Sequence, residues 1–272
     1  MSAFARTAFI GGGNMAGALI GGLLKAGADP EQLHAVEIDA GRREQLAREF
    51  SITTAANAGA AVDSAELIVL ALKPQQMKEA CASLARHIES QLVLSIAAGI
   101  RARDIARWLG TNVIVRAMPN TPALIGLGIS GLAALPAVNA AQREAAATVL
   151  RSVGNIVWFD DESQLDAVTA ISGSGPAYVF YFIEALIAAG RELGLNDAQA
   201  RELAIGTFTG SVQLAAQSSE PLQLLRERVT SKGGTTAAAL AVLQTAQVRQ
   251  SVNDAVLAAH LRARQLGDEF GR

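Results

Sequence analysis

A single cysteine, Cys81, stands among 272 residues, so no internal disulfide is available and a secreted, stapled scaffold is excluded. The three histidines, His34, His87 and His260, are scattered without metal-ligand spacing, and no zinc or other metal site is expected. An excess of one charge is missing as well: 23 Lys and Arg face 25 Asp and Glu, for a net charge of -2. Nothing in that balance neutralises a line of phosphates, so neither nucleic acid nor an anionic membrane surface is an expected partner. Charged residues are few, 18%, against 50% hydrophobic, the reverse of a disordered chain, so the sequence builds a core. Uninterrupted membrane-length runs are absent too. Residues 7 to 24 carry no charge but hold six glycines and Asn14, and residues 117 to 142 hold Pro119, Pro122 and Pro136, whereas a spanning helix needs about 20 helix-compatible apolar residues. No signal-peptide pattern follows Arg6, and the expected setting is the reducing cytoplasm. Neither H-E-x-x-H nor G-x-x-x-x-G-K-[ST] occurs, and no Ser-His-Asp set stands out, which removes the usual hydrolase and triphosphatase tools.

What is present begins with alternation. Over residues 1–160, short β-like runs (7–10, 33–38, 67–71, 92–96, 112–117, 155–159) alternate with helical stretches (15–26, 42–50, 74–88, 103–109, 140–152). The runs are apolar throughout, as strands covered on both faces are. This pattern predicts an α/β fold, a doubly wound Rossmann-type sheet covered by helices. After Asp160, Asp161 and Glu162 the β-like runs stop, and residues 161–272 read as a second, all-helical domain. Its segment 176–190 places Tyr178, Phe180, Tyr181, Phe182, Ile183, Leu186 and Ile187 on every face. A helix apolar all round must be covered by protein, and a second copy of the chain is the expected cover, making a homodimer or larger assembly.

The strongest local signal is Gly11-Gly12-Gly13-Asn14-Met15-Ala16, a G-x-G-x-x-A run between a strand and a helix. A second strand ends nearby in acid, at Glu37 or Asp39, a little beyond the usual spacing. Glycines let backbone approach a pyrophosphate, and unpaired N–H groups at the helix start meet its charge. Three further segments lie past strand ends, where doubly wound sheets bind ligands: Ala71-Leu72-Lys73-Pro74, Ser95-Ile96-Ala97-Ala98-Gly99 and Ala117-Met118-Pro119-Asn120-Thr121-Pro122. Together they predict a nicotinamide pocket. Lys73 reads as placed by Pro74 and the strand end rather than as a base. In the helical half, Ser172-Gly173-Ser174-Gly175-Pro176 and Thr230-Ser231-Lys232-Gly233-Gly234-Thr235-Thr236 lead into helices. Each fits either anion binding through backbone N–H groups or ordinary helix capping.

These motifs, in this order and over the whole chain, resemble pyrroline-5-carboxylate reductase, with Pro221, Leu225 and the run from Val229 to Thr236 as the most specific part. The resemblance implies an NAD(P)H-dependent oxidoreductase of proline biosynthesis that reduces a cyclic imino acid, with a helical domain interlocked with a partner chain. It places Asn57 at the adenosine ribose and Met118, Pro119 and Asn120 near the nicotinamide. Ser231, Gly233, Gly234 and Thr236 would surround the substrate, with Ser174 assisting and Thr236 bonding the ring nitrogen. Two other readings stay open: a hydroxyacid dehydrogenase of similar build, which needs a basic residue where only Lys232 is available, and a non-catalytic dinucleotide-binding redox sensor. The chain departs from a common pattern of this family at Glu37 and Ile38, where relatives carry residues that welcome a 2′-phosphate. A carboxylate about 5 Å from that phosphate repels it by roughly 3 kcal/mol per unit charge at an effective dielectric near 20. NADH is therefore the expected preference, tempered by Arg42 and Arg43 if they reach the phosphate.

Overall fold

A computed structural model describes residues 4–271. Eight strands form one sheet in the order β3-β2-β1-β4-β5-β6-β7-β8. They are β1 (Thr7–Ile10), β2 (Leu33–Val36), β3 (Thr53–Ala55), β4 (Leu67–Leu70), β5 (Leu92–Ser95), β6 (Ile114–Met118), β7 (Gly128–Ala134) and β8 (Gly154–Phe159). β1 pairs in parallel with β2 and β4, in register Thr7↔Leu33 and Thr7↔Leu67, and the direction reverses only between β6 and β7. Between strands run α1 (Asn14–Lys25), α2 (Ala40–Phe50), α3 (Gly59–Asp63), α4 (Pro74–Leu84), α5 (Ala102–Leu109) and α6 (Ala140–Arg151). The expected Rossmann-type, doubly wound domain is present.

Alternate strand residues explain why both faces are covered. Phe9, Val69, Leu94 and Val115 point into one core with Leu19, Leu23 and Val149 from α1 and α6. Ala8, Ile10, Ile68, Leu70 and Val93 point into the other with Met77, Cys81 and Ile105 from α4 and α5. Each buried aliphatic side chain contributes about 1.5–3 kcal/mol. Burial pushes the Cys81 thiol up to about 12, so it stays protonated at neutral pH and packs as a small hydrophobe.

Helices account for the rest: α7 (Gln164–Val168), α8 (Gly175–Glu192), α9 (Asp197–Gln217), α10 (Leu222–Arg228), α11 (Thr235–Thr245) and α12 (Val248–Phe270). A π-helical turn, Thr169–Gly173, joins α7 to α8. Among the described residues the compact units are 4–174 with 259–271, and 175–258, a different division from the 160/161 boundary drawn where the strands end. α7 and the turn after it belong with the sheet. The chain end returns to it as well: Arg101 pairs with Asp268 at 2.6 Å, and Leu266 lies against Gly99.

Within residues 175–258, α8 packs on α9 where Gly190 meets Ala200, and Asn196 with Gln199 forms a capping box that starts α9. Only Gly190, Ala200 and Ala204 are buried there. Phe180 is 59% and Tyr181 70% exposed. The stretch Gln164–Glu192 is long and apolar enough by composition to cross a membrane, but the π-helical turn and Pro176 interrupt it.

Candidate functional site

The crevice at the switch in strand order opens between the ends of β1 and β4. Gly11 sits there with φ +98°, and a Cβ on it would lie 2.6 Å from the Ala71 carbonyl oxygen. Glycine is required on both counts. Gly13 is the N-cap of α1 with no side-chain cap, and nothing lies within 4 Å of where its Cβ would be. No side chain caps the first N–H groups of α1 and no side chain crowds Gly13, which suits a pyrophosphate. Asn14 is exposed at the helix start, Met15 packs partly on the core, and Ala16 is fully buried, spacing α1 close to the sheet.

Beyond β2, Glu37 turns back toward this loop. Its carboxylate accepts the Gly12 N–H at 2.8 Å and the Asp39 N–H at 3.0 Å. Arg42 donates from Nε to the Gly12 carbonyl at 2.5 Å, and Arg43 donates from Nη1 to the carbonyls of Glu37 and Ile38, both at 2.8 Å. Arg42 also donates from Nη1 to Gln45 Oε1 at 2.7 Å, so both arginines are anchored beside the loop, each partly through its backbone carbonyls. Glu37, Ile38, Asn57, Gly11, Leu72 and Ser83 line a cavity of about 360 Å³, within the range of small-molecule sites. Ala71 continues the β4 ladder, its N–H bonded to the Ile10 carbonyl. Exposed Lys73 is the N-cap of α4, and Pro74 opens that helix, where its missing N–H costs nothing.

On the other side of the switch, Ala97 is buried just past β5. Met118 ends β6, and Pro119 then Asn120 lead into the 3-10 turn Thr121–Ile125. Asn120 is 9% exposed; its Nδ2 donates to the Ser172 carbonyl at 3.2 Å and its Oδ1 accepts from the Ile129 N–H at 2.9 Å. Ser174 closes the π-helical turn, its N–H bonded to the Thr169 carbonyl.

Sequence reasoning missed the charge beneath these loops. Arg116, 3% exposed on β6, pairs with Glu162 at 3.0 Å and with Asp166 at 3.9 Å. The Glu162 carboxylate also accepts the Ala102 N–H at the start of α5. A lone arginine inside an otherwise apolar strand, with acids at 160–162 unassigned, was the available signal.

In the helical unit, Gly234 is the N-cap of α11 and no side chain caps the helix, so the hydroxyls of the preceding turn do not cap it. Gly233 takes φ +70°. A Cβ on Gly234 would fall 2.4 Å from Ser231 Oγ, so only glycine lets that hydroxyl lie over the helix start. Thr236, partly buried, is in the first turn. Backbone N–H groups with a hydroxyl beside them, at the positive end of an 11-residue helix, are chemically suited to an anion such as a carboxylate. Among the described residues no group of three His, Cys, Asp or Glu forms a metal site.

Comparisons with known proteins fit this geometry. Residues 162–266 match the family model for pyrroline-5-carboxylate reductase dimerisation, and residues 6–99 match that for the coenzyme F420-dependent NADP oxidoreductases. The chain is 45% identical over 269 residues to pyrroline-5-carboxylate reductase of Pseudomonas aeruginosa, covering 98% of each. Among solved structures, the pyrroline-5-carboxylate reductase of Coxiella burnetii superposes with a TM-score of 0.92 at 36% identity, covering 96% of this chain and 98% of that one. The Plasmodium falciparum enzyme, solved with NADP bound, gives 0.87 at 30% identity, covering 97% and 98%.

Proposed function

The chain belongs to the pyrroline-5-carboxylate reductase family, and on that premise we propose how its residues share the work. It is an oxidoreductase that reduces L-pyrroline-5-carboxylate to L-proline with NAD(P)H and assembles from more than one copy. The hydroxyacid dehydrogenase and redox-sensor readings are not favoured by relatives of this identity and coverage.

The open helix start at Gly13, beside a Gly11 that no other residue could replace, carries the cofactor assignment. Gly11, Gly13, Asn14, Met15 and Ala16 form the pyrophosphate loop, and Glu37 and Asn57 line the adenosine pocket. Ala71, Lys73, Pro74, Ala97, Met118, Pro119 and the backbone of Asn120 frame the nicotinamide side. When bound, the dinucleotide supplies the hydride. The uncapped start of α11 holds the substrate carboxylate with Ser231, Gly233 and Gly234, while the Thr236 hydroxyl bonds the ring nitrogen and Ser174 assists. An imine protonated on nitrogen already accepts hydride well, so alignment and charge placement suffice and no strong general acid is called for.

NADH is the favoured cofactor in this reading. Glu37 places negative charge at the ribose end, and Arg42 and Arg43, anchored beside it by loop carbonyls, temper that charge without removing the preference. A second copy covers the exposed apolar faces of α8, and a cytoplasmic setting suits the single free, buried Cys81. The experiment is oxidation of NADH and NADPH by the purified chain with L-pyrroline-5-carboxylate. Turnover is expected with the imine and not with 2-oxo acids, nor, in the reverse direction with NAD+ or NADP+, with 3-hydroxy acids, and equal turnover on an open-chain keto acid would overturn the reading.

A further inference from the structure

The π-helical turn Thr169–Gly173 is held from outside by the end of β6. Asn120 makes the link: its Nδ2 donates to the Ser172 carbonyl at 3.2 Å, 52 residues away in the chain. The opposite end of the same amide is fixed by the Ile129 N–H of β7, so the side chain can neither flip nor withdraw without leaving a buried group unpaired. Two residues earlier, Met118 lies flat against the turn, since a Cβ on Gly173 would fall 2.6 Å from Met118 Cε. The hydroxyls of Thr169 and Ser172 are spent on the carbonyls of Leu165 and Val168. They brace the turn internally, whereas Asn120 and Met118 set where it stands relative to the β6 end.

We propose that the Asn120 side chain is a positioning residue for the substrate, acting through the Ser172 carbonyl to fix the turn that ends in Ser174, rather than a side-chain contact of the dinucleotide. This rests on the reading that Ser174 assists in holding the imino acid. Met118 supplies the apolar stop on the other side of the turn. Because the strand end that frames the nicotinamide also holds this turn, the substrate side inherits its placement from the cofactor side.

Asn120→Asp retains the shape and the acceptor for Ile129 but sets an oxygen against the Ser172 carbonyl; Asn120→Ala removes both bonds without adding charge. For each variant that keeps wild-type mass and a cooperative melt, KM for the imine is expected to rise about tenfold. The dissociation constant for NADH, read by fluorescence quenching, should stay within about twofold. A general loss of structure would instead lower kcat through the active fraction and leave KM in place. A normal imine KM in these variants overturns the proposal, as does a rise in Asn120→Asp that disappears at about 0.5 M salt, which would mark the field of the new carboxylate. Ser174→Ala separates the proposal from its premise. An unchanged imine KM there removes the turn from the substrate site and the proposal with it; a raised KM with normal Asn120 variants keeps the turn and overturns only the role of Asn120.

Discussion

The sheet unit and the helical unit stand on different footings. In the first, β1, β2, β4, β5 and β6 bury side chains on both faces inside one chain, and only the short edge strand β3 does not. In residues 175–258 the only buried positions are Gly190, Ala200 and Ala204, all small, while Phe180, Tyr181 and Leu186 face outward. Dinucleotide binding is built from a unit that closes its own core, whereas the proposed carboxylate site falls in a unit whose apolar surface is left for a second copy to cover. The same composition supports both outcomes, because what differs is where the apolar residues point.

The largest expected effect comes from breaking that dependence. Phe180→Glu places a carboxylate on the exposed apolar face of α8, where burial without a partner costs several kcal/mol. Sedimentation should show loss of the assembly, with imine turnover lost alongside it. An unaltered mass would show that this face of α8 is not the covered one.

Next in size is a test of the sheet unit's self-sufficiency. Arg116→Met leaves Glu162 and Asp166 without their buried cation, and removing one partner of such a pair costs about 3 kcal/mol. Thermal unfolding should register this destabilisation without a change of oligomeric mass. A melting point equal to that of the wild type would mean that the pair contributes nothing net.

How much of this was legible in the sequence follows the range of the interactions. The apolar runs at β1, β4 and β5 read correctly because two-sided burial leaves a local trace. β7 did not, since its residues GISGLAA include two glycines and a serine and lie in a stretch broken by prolines. β3 and α3 are too short to show a period. The Gly11 loop was visible because positive φ selects glycine locally. The bonds from Arg116 to Glu162 and from Asn120 to Ser172 span 46 and 52 residues, and nothing in the local pattern announces either. The return of residues 259–272 to the sheet is invisible for the same reason.

Thr236→Val sharpens the comparison from the helical side. If the hydroxyl bonds a ring nitrogen carrying positive charge, kcat/KM should fall by roughly 10- to 100-fold, about 1.5 to 3 kcal/mol, with dinucleotide affinity unchanged. Normal kinetics would reduce Thr236 to a first-turn residue. The smallest effect is expected at the adenosine end of the sheet unit. Glu37→Asn should raise kcat/KM for NADPH relative to NADH by several-fold, since solvent and salt screen most of the repulsion; a wild type that prefers NADPH, or a variant with no gain, removes the NADH preference.

The division between a self-contained cofactor unit and a copy-dependent substrate unit is tested most directly on the wild-type protein. Mass by light scattering and imine turnover are measured on the same samples across a dilution series. A dimer or larger assembly is expected at every concentration that shows turnover; a stable monomer that reduces the imine would contradict it.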